Sequence, residues 1–344
     1  MTAAPPRATS AGKHVGLKLS LVVLSCERFQ QTTGYCLATL QRALDDPRIE
    51  VILVDNGSTD GSAEHCAAWA REHPQAHYLP MPRDLGFAGA MNVGSSIAVG
   101  EWLCLVHGDT MFPPGAIDAL LAALTFAPPK VAMLGPVTNM ALNGQCLALP
   151  GYMPAQAVAA GAGAMRAPTG VFSPSYRTDF FCVAIQRNVW TQLGGLDTSF
   201  SHGHLEDFDF SLRLRAMGRD QVIAEDVFVA HLGGATCSGV RASEKAAAQR
   251  DRRLLRQRHP QAHFDPARVG NEEALRHIVN VARAKGWTPA LRERAAWRYA
   301  ALLWDEATSP LKRWRWRWTT REVRRALQVE RIEPHFPAVP TSPA

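Results

Sequence analysis

The seven cysteines of this sequence are odd in number and form no CxxC pair. That excludes a paired-cysteine zinc site and argues against a disulfide framework. The thiols at 26, 36, 66, 104, 146, 182 and 237, several inside apolar runs such as "EWLCLVHGD" and "DFFCVAIQR", read as buried and free, in a reducing compartment. Long apolar runs are missing too. "LKLSLVVLSC" is too short to span a bilayer, and the Pro/Ala/Ser-rich first 17 residues hold no apolar stretch of the kind a secretory signal needs. The expectation is a cytoplasmic protein whose membrane contact, if any, is peripheral. No internal repeat is evident.

What is present is an ordinary globular balance. Of 344 residues, 47% are hydrophobic and 20% charged, with a formal charge of +6 and a pI near 9.1. Such a charge suits anionic partners, whether nucleotide phosphates, anionic lipid or nucleic acid, without choosing among them.

The N-terminal half alternates strand-like and helix-like stretches. "LSLVVLSC", "IEVILVDNG", "AHYLP" and "EWLCLVHGD" read as strands, and the stretches between them as helices. The order predicts an α/β fold: a mostly parallel central sheet with helices on both faces. Ligands of such sheets bind beyond the carboxyl ends of the strands. That rule places Asp55 and Asp109, each ending an apolar run, at one edge. The stretch 136–178, dominated by Gly, Pro, Ala and Asn, reads as irregular, a mobile loop over the site. "HLEDFDFSLRLRAMG" reads as an amphipathic helix with apolar positions 205, 208, 212 and 216. After about residue 240 the segments become basic amphipathic helices, and the last 14 residues are Pro-rich. The expected divisions are a disordered tail at 1–17, the catalytic unit at 18–240, a basic helical region at 241–330 and a disordered tail at 331–344.

Five segments carry residues able to do chemistry, each with a plain structural alternative. In "VILVDNGSTDGS" Asp55 can accept hydrogen bonds from a ribose or base edge, or merely cap a helix. In "MPRDLGFAGAMNVG" the small residues 86, 88, 89, 90 and 94 allow close approach of a ligand or of the sheet, and Arg83 and Asn92 can address a base or phosphate. In "LCLVHGDTMFPPGAI" Asp109 stands where a hard cation bridging a diphosphate needs oxygen ligands. In "HGHLEDFDFSLRLRAMG" Glu206, Asp207 and Asp209 open a helix, a placement the helix dipole explains in part. In "VFVAHLGGATC" His231 ends an apolar run.

Singly these are weak, but their order and spacing, over residues 18–235, resemble the family 2 glycosyltransferases with the GT-A fold, among them the rhamnosyltransferase-like bacterial enzymes. The resemblance implies an inverting transferase that moves a sugar from a nucleoside-diphosphate sugar to an acceptor hydroxyl of a glycan, lipid-linked or protein acceptor, in bacterial cell-surface polysaccharide or glycoconjugate synthesis. It implies that Asp55, Asn56, Asp84, Gly86 and Asn92 bind the donor. Asp109, the acid of the family's DxD element, and His231 would hold Mn²⁺ or Mg²⁺. Asp207 would be the base, supported by Glu206 and Asp209. One position departs: the first acid of the DxD element is His107. The loss of a negative charge there is expected to weaken metal affinity or alter the preferred cation. It also motivates the alternative of a non-catalytic nucleotide-sugar or glycan-binding member. A nucleotidyltransferase is disfavoured because "LSCERFQQTTG" offers no glycine-rich phosphate loop.

Between 312 and 325 seven basic residues face one acid, interleaved with Trp314, Trp316 and Trp318. Peripheral membrane contact through 311–325 and packing of the tryptophans on the catalytic unit both fit this pattern. Nucleic acid does not, since no recognition motif accompanies the charge.

Overall fold

The computed structural model describes residues 19–147, 154–165, 167–200, 205–233, 241–263, 267–304 and 321–327. The tails, Cys237, His202, His204 and residues 311–320 of the Arg/Trp segment therefore lie outside the described residues.

Ten strands are described: β1 Leu19–Ser25, β2 Ile49–Asp55, β3 Ala76–Pro80, β4 Trp102–His107, β5 Thr110–Met111, β6 Val131–Val137, β7 Phe172–Pro174, β8 Cys182–Gln186, β9 Asp220–Phe228 and β10 Ala230–His231. The helices are α1 Thr33–Leu40, α2 Ser62–Glu72, α3 Gly86–Ser96, α4 Ala116–Phe126, α5 Pro154–Ala164, α6 Arg187–Leu193, α7 Glu206–Ala216, α8 Arg241–Arg258, α9 Ala267–Lys285, α10 Pro289–Trp304 and α11 Arg321–Ala326.

The main sheet has eight strands in the order β3-β2-β1-β4-β8-β6-β9-β7. β3, β2, β1 and β4 are mutually parallel, as are β6 and β9, while β8 and β7 run against their neighbours. The mostly parallel α/β sheet expected from the alternating pattern is what forms. β1 and β2 are buried at every position, which is why they read as unbroken apolar runs and not as alternation. Their side chains still alternate between two cores. Leu19, Leu21 and Val23 pack with α1, α2 and α4 residues such as Leu37, Cys66 and Leu120, whereas Val22 and Leu24 pack with Phe87, Met91 and Phe210.

The topology fixes the site. Chain order reverses at β1, which lies between β2 and β4, and a crevice opens beyond the carboxyl ends at such a point. Ser25 pairs with Asp55 and Leu24 with His107, so the ends of β2 and β4 flank the end of β1. Two strand spacings separate them, about 10 Å. A second, two-stranded sheet pairs β5 with β10 and sets His231 opposite Thr110.

Three expectations are corrected. First, the described residues of 136–178 do not form an irregular loop. The stretch contains the end of β6, a turn over 138–147 stitched by buried Asn143 and Gln145, then α5 and β7. Two of its glycines, Gly144 and Gly161, are packing contacts: a Cβ at Gly161 would lie 2.0 Å from the Phe228 ring. Side-chain amides that satisfy a turn's backbone leave no periodic signal in sequence. Second, the cysteines are not all free. Cys26 is disulfide-bonded, whereas Cys36, Cys66, Cys104, Cys146 and Cys182 are free. Third, α7 buries Glu206, Phe208, Asp209, Phe210, Ser211 and Leu214, not an apolar stripe through 212 and 216. The helix is wedged between the sheet and α8, so polar positions are enclosed, Asp209 among them with Arg213 and His259 as partners.

The C-terminal helices are tied to the sheet. α9 covers the β7 edge and packs on α10 through Leu275, Ile278, Leu291 and Leu302. Arg298 of α10, fully buried, donates to both carboxylate oxygens of the equally buried Glu225 on β9, at 2.7 and 3.2 Å. Among the described residues no helix is long and apolar enough to cross a membrane.

Candidate active site

Three groups of side chains meet beyond the strand ends. The first lies at the end of β2. Asp55 is 1% exposed and accepts hydrogen bonds from the Ser58 hydroxyl and, at 3.4 Å, from Tyr78. Asn56 donates to Asp84 at 2.6 Å and accepts from the Leu85 amide, while Asp84 also takes the Gly86 amide at 2.7 Å. The structure thus brings Asp55, Asn56, Asp84 and Gly86 together. Gly57, at φ +78°, makes this possible, because a Cβ there would sit 2.4 Å from the Arg83 carbonyl carbon. The loop after β1 is bound to the same region. Glu27 and Arg28 both hold left-handed backbone, and their amides reach Ser58 and Asp60. Two adjacent non-glycine residues in that conformation store strain, which the clamp from the neighbouring loop sustains. Asn92 stands apart: both polar atoms of its amide are spent on the Leu196 backbone, at 2.8 and 2.9 Å.

The second group is His107, Asp109 and His231, whose candidate ligand atoms all lie within 4.8 Å of one another. Asp109 is buried, and neither carboxylate oxygen has a hydrogen-bond partner. Facing its Oδ1 are His231 Nε2 at 3.4 Å and His107 Nδ1 at 3.8 Å. His231 is held from several sides. Asn139 clasps its backbone at 2.9 and 3.0 Å, Phe181 stacks on the ring, and Nδ1 lies 3.1 Å from the Met140 carbonyl. A carbonyl only accepts, so Nδ1 carries the proton and, in the neutral ring, Nε2 presents a lone pair to the carboxylate. Two acceptors facing at that distance need a cation between them.

The electrostatics agree. Burial alone would raise the Asp109 carboxyl, but the two imidazoles outweigh it and hold it below the ordinary range. Burial pulls His231 down, yet Asp109 outweighs this and holds it above its usual value, a proton standing where a metal would. His107 is pushed down to about 4 by burial, against the pull of Asp109. A buried carboxylate without donors, beside imidazole nitrogens of which one is oriented through its second nitrogen, fits a divalent cation.

The third group is at the start of α7. Leu205 is left-handed, at φ +73°, and turns the chain into the helix. Asp207 is met by Arg177 at 3.4 Å, and the same guanidinium lies 2.8 Å from Asp179. Burial raises the Asp207 carboxyl; Arg177 opposes this, Asp179 reinforces it, and the net shift is upward. Asp179 also acts electrostatically on His107 and His231, so the second and third groups share one neighbourhood. Asp209 points elsewhere, to Arg213 at 2.6 Å and to His259, just past the end of α8, at 2.8 Å. Glu206 is buried at the same helix start. Arg177, Asp179, Asn139 and Met140 were not singled out from sequence. They lie in irregular backbone, where no period marks them; the charged pair flanking Thr178 was the one available signal.

Residues 20–145, which carry the first two strand ends and Asp109, match the sequence model of Glycosyl transferase family 2. Over that stretch the chain is similar to the family 2 glycosyltransferases. Over 225 residues, 57% of this chain and 70% of its relative, it is 28% identical to the N-acetylglucosaminyl-diphospho-decaprenol L-rhamnosyltransferase of Mycobacterium tuberculosis. Over 72 residues, 21% of this chain and 24% of the other, it is 39% identical to glycosyltransferase GlyG of Streptococcus pneumoniae. In structure the chain resembles residues 1–349 of S. aureus TarS in complex with UDP-GlcNAc, with a TM-score of 0.50 and 14% identity, covering 90% of this chain and 81% of that one. That likeness speaks to the fold.

Proposed function

We propose that the protein is an inverting glycosyltransferase that moves a sugar from a nucleoside-diphosphate sugar to an acceptor hydroxyl during synthesis of a bacterial surface glycoconjugate. The observation that carries the reading is the buried, donorless Asp109 carboxylate facing His231 beside the Asp55–Asn56–Asp84 cluster, at the switch point of a sheet whose first strands match the family.

Asp55 and Asp84 accept hydrogen bonds from the nucleoside, and Asn56 and Gly86 hold Asp84 in place. Asp109 and His231 would hold a divalent cation, Mn²⁺ or Mg²⁺, whose chemistry, when bound, would be to neutralise charge on the departing diphosphate. Asp207 takes the proton of the acceptor hydroxyl as it attacks the anomeric carbon from the face opposite the leaving group. Its raised pKa suits that work, since a base is most effective when its pKa approaches the working pH. Arg177 keeps the carboxyl aimed and ionised, and Asp209 and Glu206 fix the helix start. One displacement inverts the anomeric centre.

A lipid-linked acceptor is supported by the name of the mycobacterial relative and by the Arg/Trp composition of 311–325, which suits the inner membrane face. Residues 18–240 would form the catalytic unit and 241–330 the basic helical region. The deciding experiment is Asp207→Asn: sugar transfer should be lost while binding of nucleotide-sugar, read by calorimetry with Mn²⁺, stays at the wild-type value. Near wild-type turnover would overturn the base assignment, and wild-type protein that releases no nucleoside diphosphate with any donor and acceptor would overturn the enzyme reading.

A further inference from the structure

His107 stands where relatives of the DxD type carry an acid, and by charge alone it subtracts from a metal site. The geometry points to the opposite. We propose that His107 is itself a metal ligand, so that the centre is a two-imidazole, one-carboxylate site that takes first-row transition cations in preference to Mg²⁺ or Ca²⁺. This rests on the metal reading of Asp109 and His231 and adds to it the third ligand and the cation class.

Separation is the first argument. Ligand atoms about 2.0–2.2 Å from one ion stand about 3 Å apart when adjacent and about 4 Å when opposite. The 3.8 Å from His107 Nδ1 to Asp109 Oδ1 and the 3.4 Å from His231 Nε2 to the same oxygen fall in that range, and all three candidate ligand atoms lie within 4.8 Å of one another. Backbone placement is the second. Only Gly108 separates His107 from Asp109, and a Cβ there would lie 2.5 Å from the Leu24 carbonyl oxygen and from the Thr33 hydroxyl. The chain is thus pressed against β1 between the two ligands, and both turn to the same side. The third is the walls. Phe87 lies against the His107 ring at 4.8 Å between centroids and Phe181 against that of His231 at 4.9 Å, which restricts each imidazole to a narrow range of orientations.

The donor set decides the cation. Mg²⁺ and Ca²⁺ favour all-oxygen shells, and Mg²⁺ gives up its water reluctantly. Imidazole nitrogen suits the transition metals, with affinity rising from Mn²⁺ to Co²⁺ and beyond. An Asp at 107 would serve Mg²⁺ and Mn²⁺ with less discrimination; His107 exchanges an oxygen for a nitrogen and gives up part of the affinity for hard ions.

The test uses the full chain and metal ions alone. Calorimetric titration with Mg²⁺, Mn²⁺ and Co²⁺ should give Co²⁺ tightest and Mg²⁺ weaker than Mn²⁺ by about tenfold or more. His107→Gln should lose about tenfold or more in Co²⁺ affinity, and His107→Asp should shift the Mn²⁺-to-Mg²⁺ ratio toward Mg²⁺. Electron–nuclear double resonance on the Mn²⁺-loaded wild type needs no variant and should count two coordinated nitrogens. One nitrogen, or His107→Gln with wild-type Co²⁺ affinity, overturns the proposal. Two nitrogens in a protein that transfers no sugar would overturn the proposed function and leave this inference standing. Transfer that depends on Asp109 and ignores His107→Gln would do the reverse.

Discussion

Replacing Arg298 should unseat the active site from a distance, and the structure sets the size of the effect. The guanidinium is 0% exposed and makes two bonds to Glu225, also 0% exposed, one to Asn271 at 2.8 Å and one to the Gly144 carbonyl. Arg298→Met keeps the bulk and removes the charge, leaving a buried carboxylate whose described hydrogen bond is from Ser173 at 2.6 Å. Stranding one member of a buried ion pair costs about 3–5 kcal/mol. Arg294, close enough to feel the Glu225 charge, argues for the lower half of that range. Removing both charges, in Arg298→Met with Glu225→Leu, should recover most of the loss, because the penalty belongs to the unpaired carboxylate and not to the absent bridge. Guanidinium denaturation of the two single variants and the double variant forms the cycle. A loss under about 1 kcal/mol for Arg298→Met, or a double variant no better than the single, would refute the reasoning. A second readout follows from the Gly144 bond. The same turn supplies Asn139 and Met140 to His231, so Co²⁺ affinity of the folded Arg298→Met protein should fall although the residue touches no ligand.

Three further outcomes are expected. Asp109→Ala should abolish the metal dependence of nucleotide-sugar binding, and identical donor titrations with and without Mn²⁺ in wild type would sink the metal reading. Gly108→Ala should cost about 1–3 kcal/mol from overpacking and weaken metal binding, because the new methyl meets the Leu24 carbonyl, which cannot rotate away; unchanged melting and affinity would count against the packing. The turnover of wild type should fall on acidification through a group titrating above the ordinary carboxylate range, since Asp207 acts only when ionised. Arg177→Met removes the cation that opposes this rise, so the acid limb should move to higher pH, with Arg177→Lys restoring it; an unmoved limb would show that Arg177 does not govern the base.

The parts legible from sequence were those where regular structure reports on position. Asp55 and Asp109 each end an apolar run, and a buried parallel strand that stops at a carboxylate has one place to put it. The sheet followed from the same runs. What was not legible depends on contacts between distant, irregular segments. Asn92 looked like a ligand contact because it sits on a small-residue helix, but its amide meets the Leu196 backbone 104 positions away. Pattern alone does not separate the three acids at the start of α7, and only the resemblance singles out Asp207. Successive helical positions diverge by about 100°, so Asp207 meets Arg177 while Asp209 meets Arg213 and His259. His107 read as a deficit because sequence counts charge, whereas the fold sets its ring nitrogen beside Asp109. The 138–147 turn that holds His231 carries its order in side-chain amides, which have no period.

The two-residue ladder between β5 and β10 has a consequence for biosynthesis. It joins Thr110, beside Asp109, to His231 across roughly 120 residues, so no nascent chain that ends short of His231 can own the proposed metal centre. At ~5–20 residues per second, a ribosome spends roughly 6–24 s between the two ligands. During that interval the β1, β2 and β4 strand ends are already made, and a nucleotide could be met by the growing polypeptide well before the cation could.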